Sequence, residues 1–78
     1  MSRVKRMQHH LDRLGDPEVK VSSRAENYLY RYYMPEAIEP LIEATYDPNP
    51  VKRFRAGWLL GLSKDPRAFE HLATSERP

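Results

Sequence analysis

The sequence predicts an all-α protein: a short α-solenoid of helical hairpins stacked side by side. Three observations carry that expectation. First, residues 16–43 recur in residues 47–74 at a shift of 31 without a gap. Nine of the 28 aligned pairs are identical, among them Asp16/Asp47, Pro17/Pro48, Ala25/Ala56, Leu29/Leu60, Ala37/Ala68 and Leu41/Leu72. Chance identity of about 6–7% per position gives only about two such pairs. Second, apolar residues recur three and four apart, the spacing of a helix face, and no stretch reads convincingly as a strand. Third, Asp-Pro steps at 16–17, 47–48 and 65–66 fall where helix starts are expected, since Asp caps free amides and proline is tolerated at the first helical position. A fixed period of this length marks an array in which each unit buries its apolar face on the next.

Each element has its own signal. Val4, Met7, Leu11 and Leu14 form one stripe of a first helix over about 3–14, with Gly15 in the usual C-terminal position. Asp16-Pro17 opens the second helix, which runs to about Tyr33 with Val21, Ala25, Tyr28, Leu29 and Tyr32 facing inward. Met34-Pro35 breaks the chain, because the residue before proline avoids helical backbone. The third helix is expected over 35–46, with Ala37, Ile38, Leu41, Ile42 and Thr45 inward. Pro40 removes one intrahelical bond there and predicts a kink or a late start. A fourth helix is expected over 50–63 and a short fifth over 66–74, with residues 75–78 frayed.

The second and third helices should form one hairpin, and the fourth and fifth the next. The first helix aligns with the third at the same shift, Met7 over Ile38 and Leu11 over Ile42, so it reads as the back half of an earlier hairpin. Residues 1–74 are thus one domain of about two and a half units: a half repeat at 3–15 and full repeats at 16–46 and 47–74.

Seventy-eight residues make one small domain. The chain has no cysteine, which rules out a disulfide or a thiolate metal site and suits a reducing, cytoplasmic setting. The basic start Met1–Arg6 is followed by no apolar run, so neither a signal peptide nor a membrane span is expected. A net charge of +2 creates no global field for nucleic acid, which argues against that partner. The charge is nevertheless uneven. Residues 3–13 carry Arg3, Lys5, Arg6 and Arg13 against Asp12, whereas residues 34–50 carry Glu36, Glu39, Glu43 and Asp47 with no cation. Alternating blocks of this kind predict attraction between neighbouring helices.

The candidate sites are surfaces rather than chemistry. His9 and His10 are adjacent, so on a helix they project about 100° apart and cannot chelate one ion as an i,i+4 pair does. With His71 they read as surface or groove residues, and no metal or cofactor is expected. No Ser/His/Asp or Cys/His constellation and no glycine-rich phosphate loop is present, so no enzymatic activity is expected. Tyr28 and Tyr32 read as core and Tyr33 as its edge. Tyr30 points away, beside Ser23, Glu26 and Asn27, and is the tyrosine offered as a partner contact.

On the fourth helix Val51, Phe54, Trp58 and Leu62 form a second apolar stripe. Their equivalents one repeat earlier, Lys20, Ser23, Asn27 and Arg31, are all polar. The stripe needs a cover, either the fifth helix folding back or another protein, and a protein surface is the expected one. The inner row of first, third and fifth helices should present a groove with a basic strip (Arg3, Arg6, Arg13) beside an acidic one (Glu36, Glu39, Glu43). The basic face, with His9, is expected to be solvated or to pair with those glutamates.

The stretch Asp47–Leu72 resembles HEAT repeats of the short kind, the ~30-residue units called phycobilisome-lyase HEAT-like repeats. The matching residues are Asp47-Pro48, Arg53, Ala56, Leu60-Gly61, Asp65-Pro66-Arg67-Ala68 and Leu72. The first copy matches at Asp16-Pro17, Ala25, Leu29, Pro35, Ala37, Ile38 and Leu41, with Tyr30 in place of the glycine. Lys52, Arg55 and Ser63 depart from the apolar or small residues usual at their positions. The ankyrin and tetratricopeptide alternatives lack their signatures. The resemblance implies a non-catalytic protein–protein interaction scaffold that binds a partner or itself. It also implies, as an alternative, an accessory protein of bilin-lyase type that handles pigment or phycobiliprotein; the basic face of the first helix adds a weak nucleic-acid binder as another.

Overall fold

The computed structural model describes residues 2–75, with side chains as far as His71. Every regular element among them is a helix: α1 Arg3–Arg13, α2 Val19–Tyr32, α3 Ile38–Ala44, α4 Pro50–Ser63 and α5 Pro66–Ser75. The frayed tail expected at 75–78 lies, beyond Ser75, outside the described residues.

The three Asp-Pro steps share one local device. Asp16, Asp47 and Asp65 each accept, through Oδ1, the backbone N–H two residues on, at 2.8 Å in every case. A short carboxylate side chain thereby mimics a turn of backbone. At Asp65 that bond also caps α5, whose first residue is Pro66. At Asp47 the cap passes to Asn49, whose Oδ1 accepts from Val51 N and Lys52 N at 2.9 and 3.4 Å. At Asp16 no cap follows. Helix α2 starts only at Val19, and Glu18 contributes no side-chain bond, so the expected opening at Asp16-Pro17 is corrected by three residues.

Helix α3 also starts late, at Ile38 rather than 35. Residues 34–37 form a turn closed by Ala37 N–H on Tyr33 O (2.8 Å) and Ile38 N–H on Pro35 O (3.0 Å). Pro40 thus falls in the first helical turn, where amides have no intrahelical partner, and no bond is lost.

The core gathers Met7, Leu11, Leu14, Leu29, Tyr33, Ala37, Ile38, Leu41, Ala44, Ala56, Leu59, Leu60 and Ala68. The repeat pairs Ala25/Ala56, Leu29/Leu60 and Ala37/Ala68 are buried alike. Val4, expected in the α1 stripe, is exposed instead. The inward face of α2 is also corrected. It carries Ser22, Ala25, Leu29 and Tyr33, whereas Tyr28 and Tyr32 are 42% and 54% exposed. That face is turned by roughly 60° from the expected one, taking 3.6 residues per turn. Ser22 is tolerated inside because its hydroxyl lies within reach of the Glu18 and Val19 carbonyls one turn back.

Gly15 does not cap α1 through left-handed backbone, because no glycine has positive φ. Its role is close approach. A Cβ there would lie 2.6 Å from Asn49 Nδ2 and 3.0 Å from Lys52 Cβ, and Asn49 Nδ2 donates to Gly15 O at 2.7 Å. The end of α1 is thus tied to the start of α4.

Helix α1 packs on α2, α3 on α4, and α4 on α5; α2 also meets α4, and α3 meets α5. The pairs α2/α4 and α3/α5, each one repeat apart, are therefore neighbours, whereas α1 and α3 are not packed in this way. The expected packing of α2 on α3 as a hairpin is corrected: α3 has only seven residues and lies chiefly along α4 instead. The whole measures 37 × 24 × 17 Å. Lys52, Arg55 and Ser63 are each held by a polar bond: Lys52 Nζ to Asp47 at 3.6 Å, Arg55 to Glu26 of α2 at 2.7 Å, and Ser63 Oγ to Leu60 O at 2.7 Å.

Candidate functional site

Helix α4 buries Ala56, Leu59 and Leu60 and leaves its other flank open. Phe54 is 72% exposed, Trp58 54%, Leu62 40% and Val51 36%. Helix α5 does not fold over this row. It puts Ala68 into the core and presents its own Phe69 outward, 76% exposed. Gly57 and Gly61 lie on the same helix, and a Cβ added at either would meet no atom within 4 Å. Glycine inside a helix costs about 1 kcal/mol relative to alanine, and no contact among the described residues calls for it here. The two glycines lower the floor beside Phe54 and Trp58, so another backbone can come close. Tyr30 is exposed and shares a recess of about 240 Å³ with Ser23, Glu26 and Asn27 of α2 and Leu59 and Leu62 of α4. The structure thus brings Tyr30 to the edge of the α4 row.

The groove charges are rearranged. Arg3 Nε donates to Glu36 at 2.7 Å, also donates to the Tyr32 carbonyl, and lies 4.7 Å over the Tyr33 ring. The Arg3 hydrogen bond holds the Glu36 carboxyl below its usual range. Glu39 pairs at 3.2 Å with Arg67 of α5, which also grips Asp65 and depresses that carboxyl in the same way. Glu43 lines a shallow recess with Gln8, Asp47 and Lys52. Arg6 is exposed on α1. Arg13 turns toward α2 and donates to His9 Nε2 at 2.9 Å. Of the expected pairings between the α1 arginines and these glutamates, the described bonds supply Arg3–Glu36, with Glu36 in the turn before α3.

The His9 and His10 rings meet edge to face at 5.6 Å, whereas His71 packs against Thr45 and Tyr46. His71 Nε2 lies 2.8 Å from Thr45 Oγ1, and the Thr45 hydroxyl donates to Ile42 O at 2.6 Å. A hydroxyl has one proton, so the His71 nitrogen is the donor. Among the described residues no group of three His, Asp or Glu side chains could hold a metal ion. Among the described residues no helix is long and apolar enough to cross a membrane.

The face between α1 and α2 holds a further cluster. His10 stacks on Tyr28 with centroids 4.8 Å apart and planes 15° apart, and Tyr32 follows Tyr28 at 5.7 Å. One recess of about 220 Å³ lies between His9, His10 and Arg13 of α1 and Arg24 and Tyr28 of α2. A second, of about 240 Å³, continues it along Arg24, Asn27, Tyr28, Arg31 and Tyr32. Burial first, then His9 and Arg13, keeps the His10 pKa below the usual imidazole value. The signal was available in the sequence: Lys20, Arg24, Asn27, Tyr28 and Arg31 share one helix face. Assigning Tyr28 and Tyr32 to the core concealed it.

No protein-family model, no curated protein and no solved structure matches the chain.

Proposed function

We propose that the chain is a non-catalytic scaffold of HEAT-like type, a short α-solenoid that binds protein through the open flank of α4. The observation that carries this reading is the row Val51, Phe54, Trp58 and Leu62, left bare by α5 and extended by Tyr30. The side-by-side contacts of α2 with α4 and of α3 with α5 support the repeat stack. Taking about 200 Å² per aromatic side chain, the exposed parts of Phe54, Trp58 and Tyr30 amount to roughly 340 Å². A standard interface buries about 800 Å² per partner, so this row with a polar rim makes one side of such an interface. The simplest occupant is a second copy, because a two-fold axis applies the same row twice.

Trp58 is the only tryptophan, so its emission reports directly on the row. Raising the protein concentration through the micromolar range should shift that emission to the blue as the indole leaves water. An unchanged spectrum together with elution at monomer size throughout would contradict self-association.

A further inference from the structure

We infer that the α1–α2 face is a binding site for single-stranded nucleic acid, with His10, Tyr28 and Tyr32 as a base-stacking row and Arg13, Arg24 and Arg31 as phosphate contacts. The site shares no residue with the α4 row and stands independently of the proposed protein contact.

The ring geometry comes first. Three rings follow one another at 4.8 and 5.7 Å, and two of them, Tyr28 and Tyr32, are exposed. Tyrosines that served only to fill a core would be buried, as Tyr33 is. The two recesses along this row, about 220 and 240 Å³, are half-open and share Arg24 and Tyr28. A planar base can slide against such rings in a sequence-tolerant way, because every base has a π-face.

The charge is equally specific. Arg13, Arg24 and Arg31 border the recesses, and neither recess is lined by a carboxylate. The acids of α1 and α2 are engaged elsewhere: Asp12 accepts from Gln8 at 3.0 Å, and Glu26 is held by Arg55 at 2.7 Å on the side toward α4. Glu36 is held by Arg3. The modest net charge of the chain therefore conceals a cationic face. Arg31 lies 5.9 Å from the Tyr32 ring centroid, which sets a guanidinium beside a stacking platform. Phosphate followed by base, repeated, fits this alternation. An acidic polypeptide would satisfy the arginines and leave the ring faces unused. A duplex keeps its bases stacked on one another and could not reach the rings.

Fluorescence anisotropy of labelled oligouridylate and oligothymidylate, each about ten nucleotides long, tests the site on the full chain. Three phosphate contacts predict a log–log salt slope of about −2 for a single strand, or roughly a 20-fold loss of affinity between 50 and 200 mM salt. Tyr28→Ala and, separately, the more exposed Tyr32→Ala should each weaken binding by about tenfold, with unchanged circular dichroism. The double variant Arg24→Gln/Arg31→Gln should reduce the slope by about 1.4. Three outcomes would each overturn the proposal: no binding at 50 mM salt, a duplex binding as tightly as the single strand, or polyglutamate competing as well as the oligonucleotide while both tyrosine variants keep full affinity.

Discussion

Asn49 ties the end of the first helix to the start of the fourth, and its replacement has a calculable cost. Its Oδ1 caps α4 by accepting from Val51 and Lys52, and its Nδ2 donates to the Gly15 carbonyl at 2.7 Å. Losing the cap costs about 1 kcal/mol, and losing the hydrogen bond to buried Gly15 about another 1 kcal/mol net. Asn49→Ala should therefore destabilise by about 2 kcal/mol. For 78 residues the whole folding free energy is of order 4–12 kcal/mol, and each kcal/mol moves the midpoint by about 4–8 °C in a domain this size. The expected loss is thus about 8–16 °C, read by thermal circular dichroism. Asn49→Asp separates the two contributions. It keeps the cap and suits the positive end of the helix, but it replaces the donor with an acceptor facing Gly15 O. It should cost about 1 kcal/mol, roughly half the alanine effect. An aspartate variant as stable as the parent would refute the α1–α4 tie, and an alanine variant losing less than about 0.5 kcal/mol would refute both roles.

Other expectations follow from the same coordinates. Lys64 ends α4 with φ 57°, a left-handed backbone that costs a non-glycine residue about 1 kcal/mol, so Lys64→Gly should raise the urea midpoint, and a lower midpoint would count against the assigned helix end. Leu29 and Leu60 are repeat equivalents with almost no exposure; truncating either to alanine should cost about 2–5 kcal/mol, and a surface-like loss below 1 kcal/mol at one of them would break their equivalence in urea titrations. Stability should also fall on acidification in two stages. The folded state resists protonating His10, so stability present at neutral pH declines as pH drops below about 6.5, and His10→Gln should flatten that limb of a midpoint-versus-pH plot. Glu36 and Asp65 are held below their usual range by Arg3 and Arg67, so their contribution is present above about pH 4–5 and is lost as pH falls further; Glu36 is exposed, so Glu36→Gln should remove only a shallow part of that decline.

Local punctuation made some of the fold legible. The expected bounds of α4 match the observed ones, and α5 starts at Pro66 as expected, because cap residue and proline stand next to each other at both sites. The face of α2 was not legible from periodicity. Tyrosine counts as apolar in a pattern, yet Tyr28 and Tyr32 lie outward while small, backbone-satisfied Ser22 takes the inward position. Gly15 reads as a cap because its true constraint, Asn49, lies 34 residues away. The exposed α4 row was legible because its polar counterparts on α2 marked it as exceptional. The groove pairs were only partly legible, since charge alone could not say that Glu39 faces Arg67 rather than α1.

Sedimentation velocity on the parent chain and on Trp58→Ala, at matched concentrations up to about 100 μM, weighs the α4 reading most sharply. Trp58 is more than half exposed, so its removal should leave the circular dichroism and thermal midpoint nearly unchanged while shifting the parent's faster-sedimenting species to monomer. A parent chain that stays monomeric across the range, or a variant that associates as strongly as the parent, would contradict association through this face.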